Sequence, residues 1–268
     1  MKKWGESLVI ALAMYSAIPM PRVDWRQDNM RWSLGCLPVV GVLAGGLLYG
    51  WARLALWLHA SPFFFAVVAA ALPLLISGGL HMDGFLDATD AIFSRRDREK
   101  KLQIMKDPHC GPFAVLSCAG LLLLEGGAWC QLYALPSLLP AACTAFTLSR
   151  SLTVVAGSRF AYAPSSTLGV LFADRAASGV RALGAAEAVG SVLLLLGAGF
   201  LGGGLAGMLC AAVAAAGSLL LFLWYRRMIQ KEFGGVTGDL LGYFVELSQL
   251  LLLLLLAFGG LIASAVLR

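Results

Sequence analysis

Residues 62–90 read PFFFAVVAAALPLLISGGLHMDGFLDATD, an apolar run that ends in three acids. The run 62–80 approaches the length of about 20 residues that a helix needs to cross a bilayer. Asp83, Asp87 and Asp90 follow it at spacing i, i+4 and i+7, so they share one face of a helix. Carboxylates beside hydrocarbon are unfavourable unless they meet a partner or a water-filled cavity. The stretch therefore predicts a membrane protein with a functional site at the end of a span.

The composition of the whole chain agrees with a membrane protein. Hydrophobic residues make up 59% of the 268 residues and charged residues only 13%, and the mean hydropathy is +0.82. These values lie far outside the range of soluble globular domains. We therefore expect an all-α polytopic bundle of about seven transmembrane helices, with residues 1–268 forming a single membrane-embedded domain. The expected spans lie near residues 34–58, 62–80, 112–134, 137–157, 185–204, 205–224 and 245–267.

The N-terminal segment is apolar but short. The run from Trp4 to Ile18 contains Glu6, so we expect an interfacial or re-entrant helix rather than a full span. A signal peptide is the alternative, because Lys2 and Lys3 precede the apolar run. Pro19-Met20-Pro21-Arg22 is a poor cleavage site, which favours a retained segment.

Basic residues occur in a few segments, and the turns between paired spans have almost no charge. By the positive-inside rule, all the basic loops then face the cytoplasm. The net charge of +5 describes this face, which suits anionic headgroups or phosphorylated substrates, and anionic lipid alone would explain it. The basic residues of this face are Lys2, Lys3, Arg22, Arg26, Arg31, the arginines and lysines between Arg95 and Lys106, Arg159, Arg175, Arg181, Arg226, Arg227 and Lys231.

A highly charged loop follows the acidic motif and ends at a turn marked by Pro108 and Gly111. Its candidates for substrate binding bracket the acidic face, and arginine's planar fork suits phosphate oxygens. These candidates are Arg96, Arg98, Lys106 and Asp107. For Arg95, Lys100 and Lys101 we expect a solvated loop whose side chains contact headgroups.

A glycine-rich segment, FGGVTGDLLGYFVE at residues 233–246, precedes the last span. Glycines allow backbone N–H groups to approach a phosphate closely, which makes Gly234, Gly235, Thr237 and Gly238 candidates for substrate binding. Asp239, near a helix start, is expected to cap the helix or to bind a metal. A tight interfacial turn is the alternative for this segment.

Five ionisable residues lie in or beside apolar runs. Arg150 either snorkels to the interface or turns into the bundle as a counter-charge, and the need of an anionic substrate for a cation favours the second. Glu246 is expected to be a ligand, a base or a partner for such an arginine. His81 either orients Asp83 or is a hydrogen-bonded structural histidine. Nothing in the sequence around Glu125 suggests a cluster, and the same holds for Glu187.

The acidic residues predict a divalent cation. Like charges on one helix face repel, and a cation that also bridges phosphate oxygens relieves that repulsion. Carboxylate oxygens are the ligands that Mg²⁺ prefers. We therefore expect Asp83, Asp87 and Asp90, with Asp239 as a further ligand, to hold one or two Mg²⁺ ions.

These motifs together resemble one enzyme family. They are Gly-Gly-x-His-x-Asp-Gly-x-x-Asp-x-x-Asp from Gly78, then Ile-Met-Lys-Asp, Ser-Arg, and Gly-Gly-x-Thr-Gly-Asp-x-x-Gly-x-x-x-Glu. In order and spacing the chain resembles the cobalamin-5'-phosphate synthase family, also called adenosylcobinamide-GDP ribazoletransferase, over most of its length. The resemblance implies a bacterial inner-membrane enzyme that completes the nucleotide loop of vitamin B12. In that family α-ribazole or its 5'-phosphate displaces GMP from adenosylcobinamide-GDP in a reaction that requires Mg²⁺.

The family motif maps onto His81, Asp83, Asp87, Asp90, Arg96, Arg98, Lys106, Asp107, Ser149, Arg150, Gly234, Gly235, Thr237, Gly238, Asp239 and Glu246. The chain departs from it at Ala91, where a glycine is common, and at Pro108-His109, which replaces Ser-Arg. The missing arginine removes one phosphate contact. His109 could replace that contact when protonated, or by donating a neutral hydrogen bond.

The implied chemistry is an in-line phosphoryl transfer, with Asp83, Asp87, Asp90 and Glu246 as catalytic candidates. The base that accepts the ribose hydroxyl proton is expected to be Asp90 or Glu246.

A CDP-alcohol phosphotransferase is the nearest alternative function, but no later Gly-x-x-x-Asp-x-x-x-Asp completes the sequence signature of that class. A cation-coupled transporter is a second rival, and its carboxylates should lie mid-span. The expected partners are adenosylcobinamide-GDP, α-ribazole or its phosphate, and the lipid bilayer. No nucleic acid is expected as a partner, and the protein is either a monomer or a homodimer.

Overall fold

The computed structural model describes residues 2–25, 30, 32–164, 166 and 178–266, and all structural statements concern these residues. Arg26, Arg31 and Arg175, named above for topology, lie outside them. The described part is helical and contains no strand, with a single bridge between Tyr162 and Val236, so the all-α prediction is confirmed. The helices are α1 (Lys2–Tyr15), α2 (Leu37–Trp57), α3 (Pro62–Ser77), α4 (Leu80–Phe93), α5 (Arg98–Ile104), α6 (Pro112–Tyr133), α7 (Leu139–Arg159), α8 (Ser178–Glu232) and α9 (Gly238–Val266).

Five helical segments of the described chain are long and apolar enough to cross a membrane, namely Leu34–Trp57, Pro112–Tyr133, Pro136–Arg159, Gly179–Glu232 and Gly238–Val266. The longest of them is interrupted by non-helical backbone at Gly203 and Gly204. The backbones of Gly199 and Gly207 touch across this break, so the helix folds back as a hairpin. Each arm exceeds the roughly 20 residues of a span. The sequence had predicted this boundary between residues 204 and 205.

A sharp bend separates α3 from α4. The two helices pass the span criteria only together, and they meet at 95°. Gly78 and Gly79 form the bend with φ values of +62° and +79°, a conformation that glycine adopts without a steric penalty. The acidic motif therefore lies on a helix that turns away from the span before it.

Helix α1 is shorter than a membrane span, as the sequence predicted. It packs against the beginning of α2, where Ala11 and Tyr15 join Leu37 and Val40 in one buried cluster. This contact holds the N-terminal segment against the bundle.

Helix α7 is the centre of the bundle and is buried along most of its length. It packs against α2, α8 and α9, whereas α4 packs against α9 and α6. Small residues permit the closest approach, because a side chain at Gly41 or Gly45 of α2 would collide with carbonyl groups of α7. Large apolar side chains on the outer helices point outward, and Leu201 is 87% exposed. This surface matches a lipid environment.

Basic segments that are distant in sequence meet at one end of the molecule. Arg98 donates to the carbonyls of Gln230 and Lys231 at the end of α8. Arg181 donates to the carbonyl of Ser158 at the end of α7. The predicted grouping of these basic segments on one face agrees with these contacts.

Candidate active site

Helix α4 separates an apolar face from an acidic face. Met82 and Phe85 are buried in a cluster with residues of α6 and α9, and the Phe85 ring stacks on Tyr243 with centroids 5.5 Å apart. On the other side Asp83 is exposed and Asp87 is half-buried. The apolar contacts therefore fix the helix so that these two carboxylates face away from the bundle core.

A close crossing of α4 and α9 brings Asp239 to the acidic face. A Cβ atom on Gly84 would lie 2.6 Å from the carbonyl oxygen of Asp239, and one on Gly242 would lie 3.0 Å from the carbonyl oxygen of His81. The absence of side chains at these glycines permits the contact. Asp239 consequently interacts electrostatically with Asp83, and Asp87 interacts with both of them.

Two adjoining cavities lie at this acidic face. The larger has a volume of about 500 Å³ and is lined by Asp83, Asp239 and Lys106, together with His81, Thr237 and Gly238 and apolar residues of α1, α2 and α9. The smaller has a volume of about 250 Å³, and its lining includes Asp83, Asp87, Lys106, Asp107 and His109. Asp83 and Lys106 line both cavities, so they stand at the boundary between them.

The donor chemistry fits Mg²⁺ that arrives with a phosphate ligand. Within the described part of the chain no three His, Cys, Asp or Glu residues form a ready-made metal site. The carboxylates of Asp83 and Asp87 have no hydrogen-bond or ion-pair partner among the described residues, so their oxygens are free to bind. Mg²⁺ is commonly bound by one or two carboxylates together with water and substrate phosphate oxygens. Asp83 and Asp87 would provide the carboxylate ligands of such a site.

Asp90 has a different environment from the other two acids of its motif. Its Oδ2 accepts the N–H of Gly111 at 2.6 Å, and its Oδ1 accepts the N–H of Ala114 at 2.9 Å. These N–H groups lie at the start of α6, where a helix has unpaired donors and favours a negative charge. Asp90 therefore caps α6, and it lines neither cavity.

The loop between α5 and α6 contributes Lys106, Asp107 and His109 to the smaller cavity. The backbone N–H of His109 donates to Asp107 Oδ1 at 3.0 Å, and its ring Nδ1 lies 2.7 Å from the same oxygen. Both contacts hold the pKa of the Asp107 carboxyl below its ordinary value, so this group is a carboxylate at neutral pH. His109, which stands in place of the arginine of the family motif, is thus held at the cavity by Asp107.

The other basic candidates of this loop lie outside the two cavities. Arg96 is exposed, and the guanidinium of Arg98 is bound to the carbonyls at the end of α8, each at 3.2 Å. The expectation that Lys101 is a solvated loop residue was wrong. Lys101 is buried and forms an ion pair with Glu232, which ties α5 to α8.

The glycine-rich segment divides into a structural part and a part that lines the larger cavity. A Cβ atom on Gly235 would lie about 2.5 Å from the backbone of Tyr162, and Val236 exchanges backbone hydrogen bonds with Ala161 and Ala163. Gly234, with a φ of +77°, packs against Arg98. By contrast, Thr237 and Gly238 line the cavity. Thr237 Oγ1 also accepts the N–H of Leu240 at 3.2 Å and caps α9.

Arg150 turns into the bundle, as the favoured interpretation of the sequence predicted. It is 1% exposed, and its Nη1 donates to Phe146 O at 3.1 Å and to Gln249 Oε1 at 3.2 Å. Gln249 Nε2 in turn donates to Glu125 Oε1 at 2.9 Å. Glu246, also buried, interacts electrostatically with Arg150. These residues form a polar network inside the membrane-spanning bundle.

Two residues of this network, Glu125 and Gln249, were not predicted from the sequence. The expectation that Glu125 belongs to no cluster was wrong, and Gln249 was not considered. The available signal was polar residues in apolar runs, because such residues require partners. Arg150 lines neither cavity, and neither does Glu246.

The fold and the site define a polytopic membrane protein whose carboxylates and lysine surround a cleft suited to a metal-bound phosphate group. Comparison with known families then identifies it more narrowly: the chain belongs to the cobalamin-5-phosphate synthase family, whose model matches residues 7–257.

Similar proteins cover nearly the whole chain. An adenosylcobinamide-GDP ribazoletransferase of Lachnoclostridium phytofermentans is 33% identical over 93% of this chain and 92% of its own length. Proteins of the same name from Desulfitobacterium hafniense and Geobacillus thermodenitrificans are 36% and 32% identical, over 92% and 94% of this chain and over 94% and 95% of their own lengths. No solved structure matches the chain.

Proposed function

We propose that this protein joins α-ribazole, or α-ribazole 5'-phosphate, to adenosylcobinamide-GDP and releases GMP, as the last assembly step of the cobalamin nucleotide loop. The product is adenosylcobalamin or its 5'-phosphate. Membership of the family and the names of its relatives support this reaction. The observation that carries the chemistry is that Asp83 and Lys106 line both adjoining cavities, because a transfer between two substrates needs one place where they meet.

The side chains at this boundary have complementary roles. Lys106 provides a positive charge for the diphosphate of adenosylcobinamide-GDP. Asp83 and Asp87 provide free oxygens for Mg²⁺, whereas Asp239 stays free for the role assigned to it below. When bound, Mg²⁺ neutralises negative charge on the diphosphate oxygens. The protein's own task is then to align the attacking oxygen, the phosphorus and the leaving oxygen.

The proton of the attacking ribose hydroxyl needs an acceptor close to the larger cavity. In the reaction, the hydroxyl oxygen bonds to the phosphorus that carries the cobinamide arm, and the bond from that phosphorus to GMP breaks. Asp90 caps a helix and Glu246 lies in the buried network, and neither lines a cavity. Asp239 lines the larger cavity but not the smaller one. We therefore assign proton acceptance to Asp239 in preference to the two residues that the sequence favoured.

We also propose that the enzyme resides in the bacterial inner membrane with this site facing the cytoplasm. The basic segments around the site support this orientation through the positive-inside rule. Substrates that are charged and water-soluble then reach the cavities from the aqueous phase without crossing the bilayer.

The test of the reaction is GMP release by purified protein in liposomes, supplied with adenosylcobinamide-GDP and α-ribazole 5'-phosphate. We expect release with Mg²⁺, none with EDTA, and none for Asp83→Ala. Glu99→Ala is the matched control, because Glu99 is an exposed carboxylate of α5 that lines neither cavity. Absence of release from folded wild-type protein would contradict the proposal and direct attention to CDP-alcohol substrates.

A further inference from the structure

One wall of the larger cavity is apolar and is built by the N-terminal helices. Met14 and Tyr15 come from the end of α1, Leu37 is the first residue of α2, and Leu34 lies in the 3-10 turn just before it. Tyr15, Leu34 and Leu37 belong to one buried cluster, and Met14 packs against it. None of these four residues lines the smaller cavity. The larger cavity therefore has an apolar wall that the smaller cavity does not share.

Two of the hydroxyl groups that line the larger cavity are already hydrogen-bonded within the protein. The Tyr162 hydroxyl donates to the carbonyl of Gly157 at 2.7 Å, and the Thr153 hydroxyl donates to the carbonyl of Ser149 at 2.8 Å. Burial raises the pKa of the hydroxyl of Tyr15 and also that of Tyr162, so both are neutral. This wall can accept apolar surface but has few groups to offer a polar ligand.

We propose that this wall, formed by Met14, Tyr15, Leu34 and Leu37, binds the flat aromatic base of α-ribazole and determines which base is accepted. The inference rests on the proposed function and adds the location and selectivity of one substrate. A benzimidazole base has no exocyclic hydrogen-bonding groups, so burial against an apolar wall costs it little. Guanine and the amide-rich corrinoid carry many such groups, and burying them without partners is unfavourable.

This placement orders the rest of the site. With the base against α1 and α2, the ribose of α-ribazole extends towards Asp239 and the boundary residues Asp83 and Lys106. The diphosphate of the other substrate then occupies the smaller cavity beside Asp87 and His109. The bulky corrinoid remains outside a cavity of about 500 Å³, a volume in the range of small-ligand sites.

The test varies the space beside the wall by mutation and the size of the aromatic base by the choice of riboside. Met14→Phe narrows the cavity, and Ala13→Phe is the matched control because Ala13 is the exposed neighbour on α1 that does not line it. Binding of two ribosides, one with 5,6-dimethylbenzimidazole and one with unsubstituted benzimidazole, is measured by equilibrium dialysis. The KM of each riboside and of adenosylcobinamide-GDP is measured alongside.

We expect Met14→Phe to weaken binding of the dimethylated riboside about tenfold. This is the usual effect when an apolar pocket loses the space for a methyl group of its ligand. Binding of the smaller riboside and the KM of adenosylcobinamide-GDP should be retained, and Ala13→Phe should behave as wild type. If Met14→Phe does not fold, Met14→Ala provides the opposite test, with relatively tighter binding of a tricyclic naphthimidazole riboside.

Two results would overturn the inference. Met14→Phe with unchanged preference between the ribosides would show that the wall does not contact the base. A raised KM for adenosylcobinamide-GDP alone would assign the wall to the guanine nucleotide instead. Wild-type protein that binds α-ribazole without releasing GMP would refute the proposed reaction but not this binding site, so the two failures are distinguishable.

Discussion

At the scale of single residues, the three acids of one motif have different partners. Asp83 has no partner among the described residues and lines both cavities. We therefore expect Asp83→Asn to leave the thermal unfolding midpoint unchanged while it lowers kcat for GMP release about 100-fold, as loss of one electrostatic contact to a reacting group does. Calorimetry and GMP assays on the same preparation measure both. A large loss of stability would show that Asp83 supports the fold instead.

Asp90 should behave in the opposite way, because both of its oxygens accept N–H groups at the start of α6. Asp90→Ala removes these acceptors, and we expect it to destabilise the protein by about 1 kcal/mol, the usual effect of losing a helix cap. Asp90→Asn retains one acceptor oxygen and should be less destabilising. The unfolding midpoints of the two variants measure this order. Full stability together with abolished GMP release would instead favour the role of metal ligand that the sequence predicted.

Arg150 is a residue whose loss should affect the whole bundle. Arg150→Met leaves the carbonyl of Phe146 and Gln249 Oε1 without their donor, and a buried polar group left unpaired commonly costs about 1–3 kcal/mol. It also removes the buried cation that interacts electrostatically with Glu246 and Glu125. We expect Arg150→Met to unfold at much lower denaturant concentration than wild type. Adding Glu125→Gln should recover part of the loss, which a double-mutant cycle measures. Additive effects of the two changes would contradict a shared network.

At the scale of helices, the crossing of α4 and α9 positions the carboxylates of Asp83 and Asp239 relative to each other. A methyl group on Gly84 would meet the Asp239 backbone, so Gly84→Ala should push the helices apart and separate Asp239 from Asp83. A displacement of about 1 Å at a reacting group costs roughly 100-fold in rate. We expect this loss of GMP release with unchanged helical content by circular dichroism. Gly120→Ala is the control, because nothing lies within 4 Å of its Cβ position, and equal activity of the two variants would refute the positioning role.

Contacts between helices also divide the features that could be predicted from the sequence from those that could not. The apolar segments and the acidic face of α4 follow from local hydropathy and spacing, whereas the bend at Gly78 and Gly79 was not predicted and ends the expected span 62–80 at Ser77. The partners of Asp90, Lys101 and Glu125 do not follow from local hydropathy and spacing, because each depends on where a distant helix lies. Lys101 and Glu232 are 131 residues apart, and Glu125 and Gln249 are 124 residues apart. No local pattern encodes contacts of this range, so a solvated lysine and an isolated glutamate were the natural expectations.

At the scale of the whole molecule, the basic segments at the ends of α7 and α8 and the loop before α6 lie at the end that contains both cavities. The outer helix surfaces are apolar, with Leu123 77% exposed and Leu201 87% exposed. Both cavities lie at the basic end, so water-soluble substrates reach them from the side of the membrane that this end faces. The side of the membrane that this end faces therefore decides which pool of substrate the enzyme uses.

A native cysteine reports this orientation. All six cysteines are free, and Cys110, which lines the smaller cavity, is the exposed one among them. A membrane-impermeant maleimide should therefore label inside-out vesicles, where the cytoplasmic face is outermost, and should leave right-side-out vesicles unlabelled. GDP with Mg²⁺ should slow the labelling, because the diphosphate occupies the same cavity. Cys110→Ser should abolish the labelling of inside-out vesicles. Labelling confined to right-side-out vesicles would place the site outside the cytoplasm, and the enzyme would then depend on exported substrates.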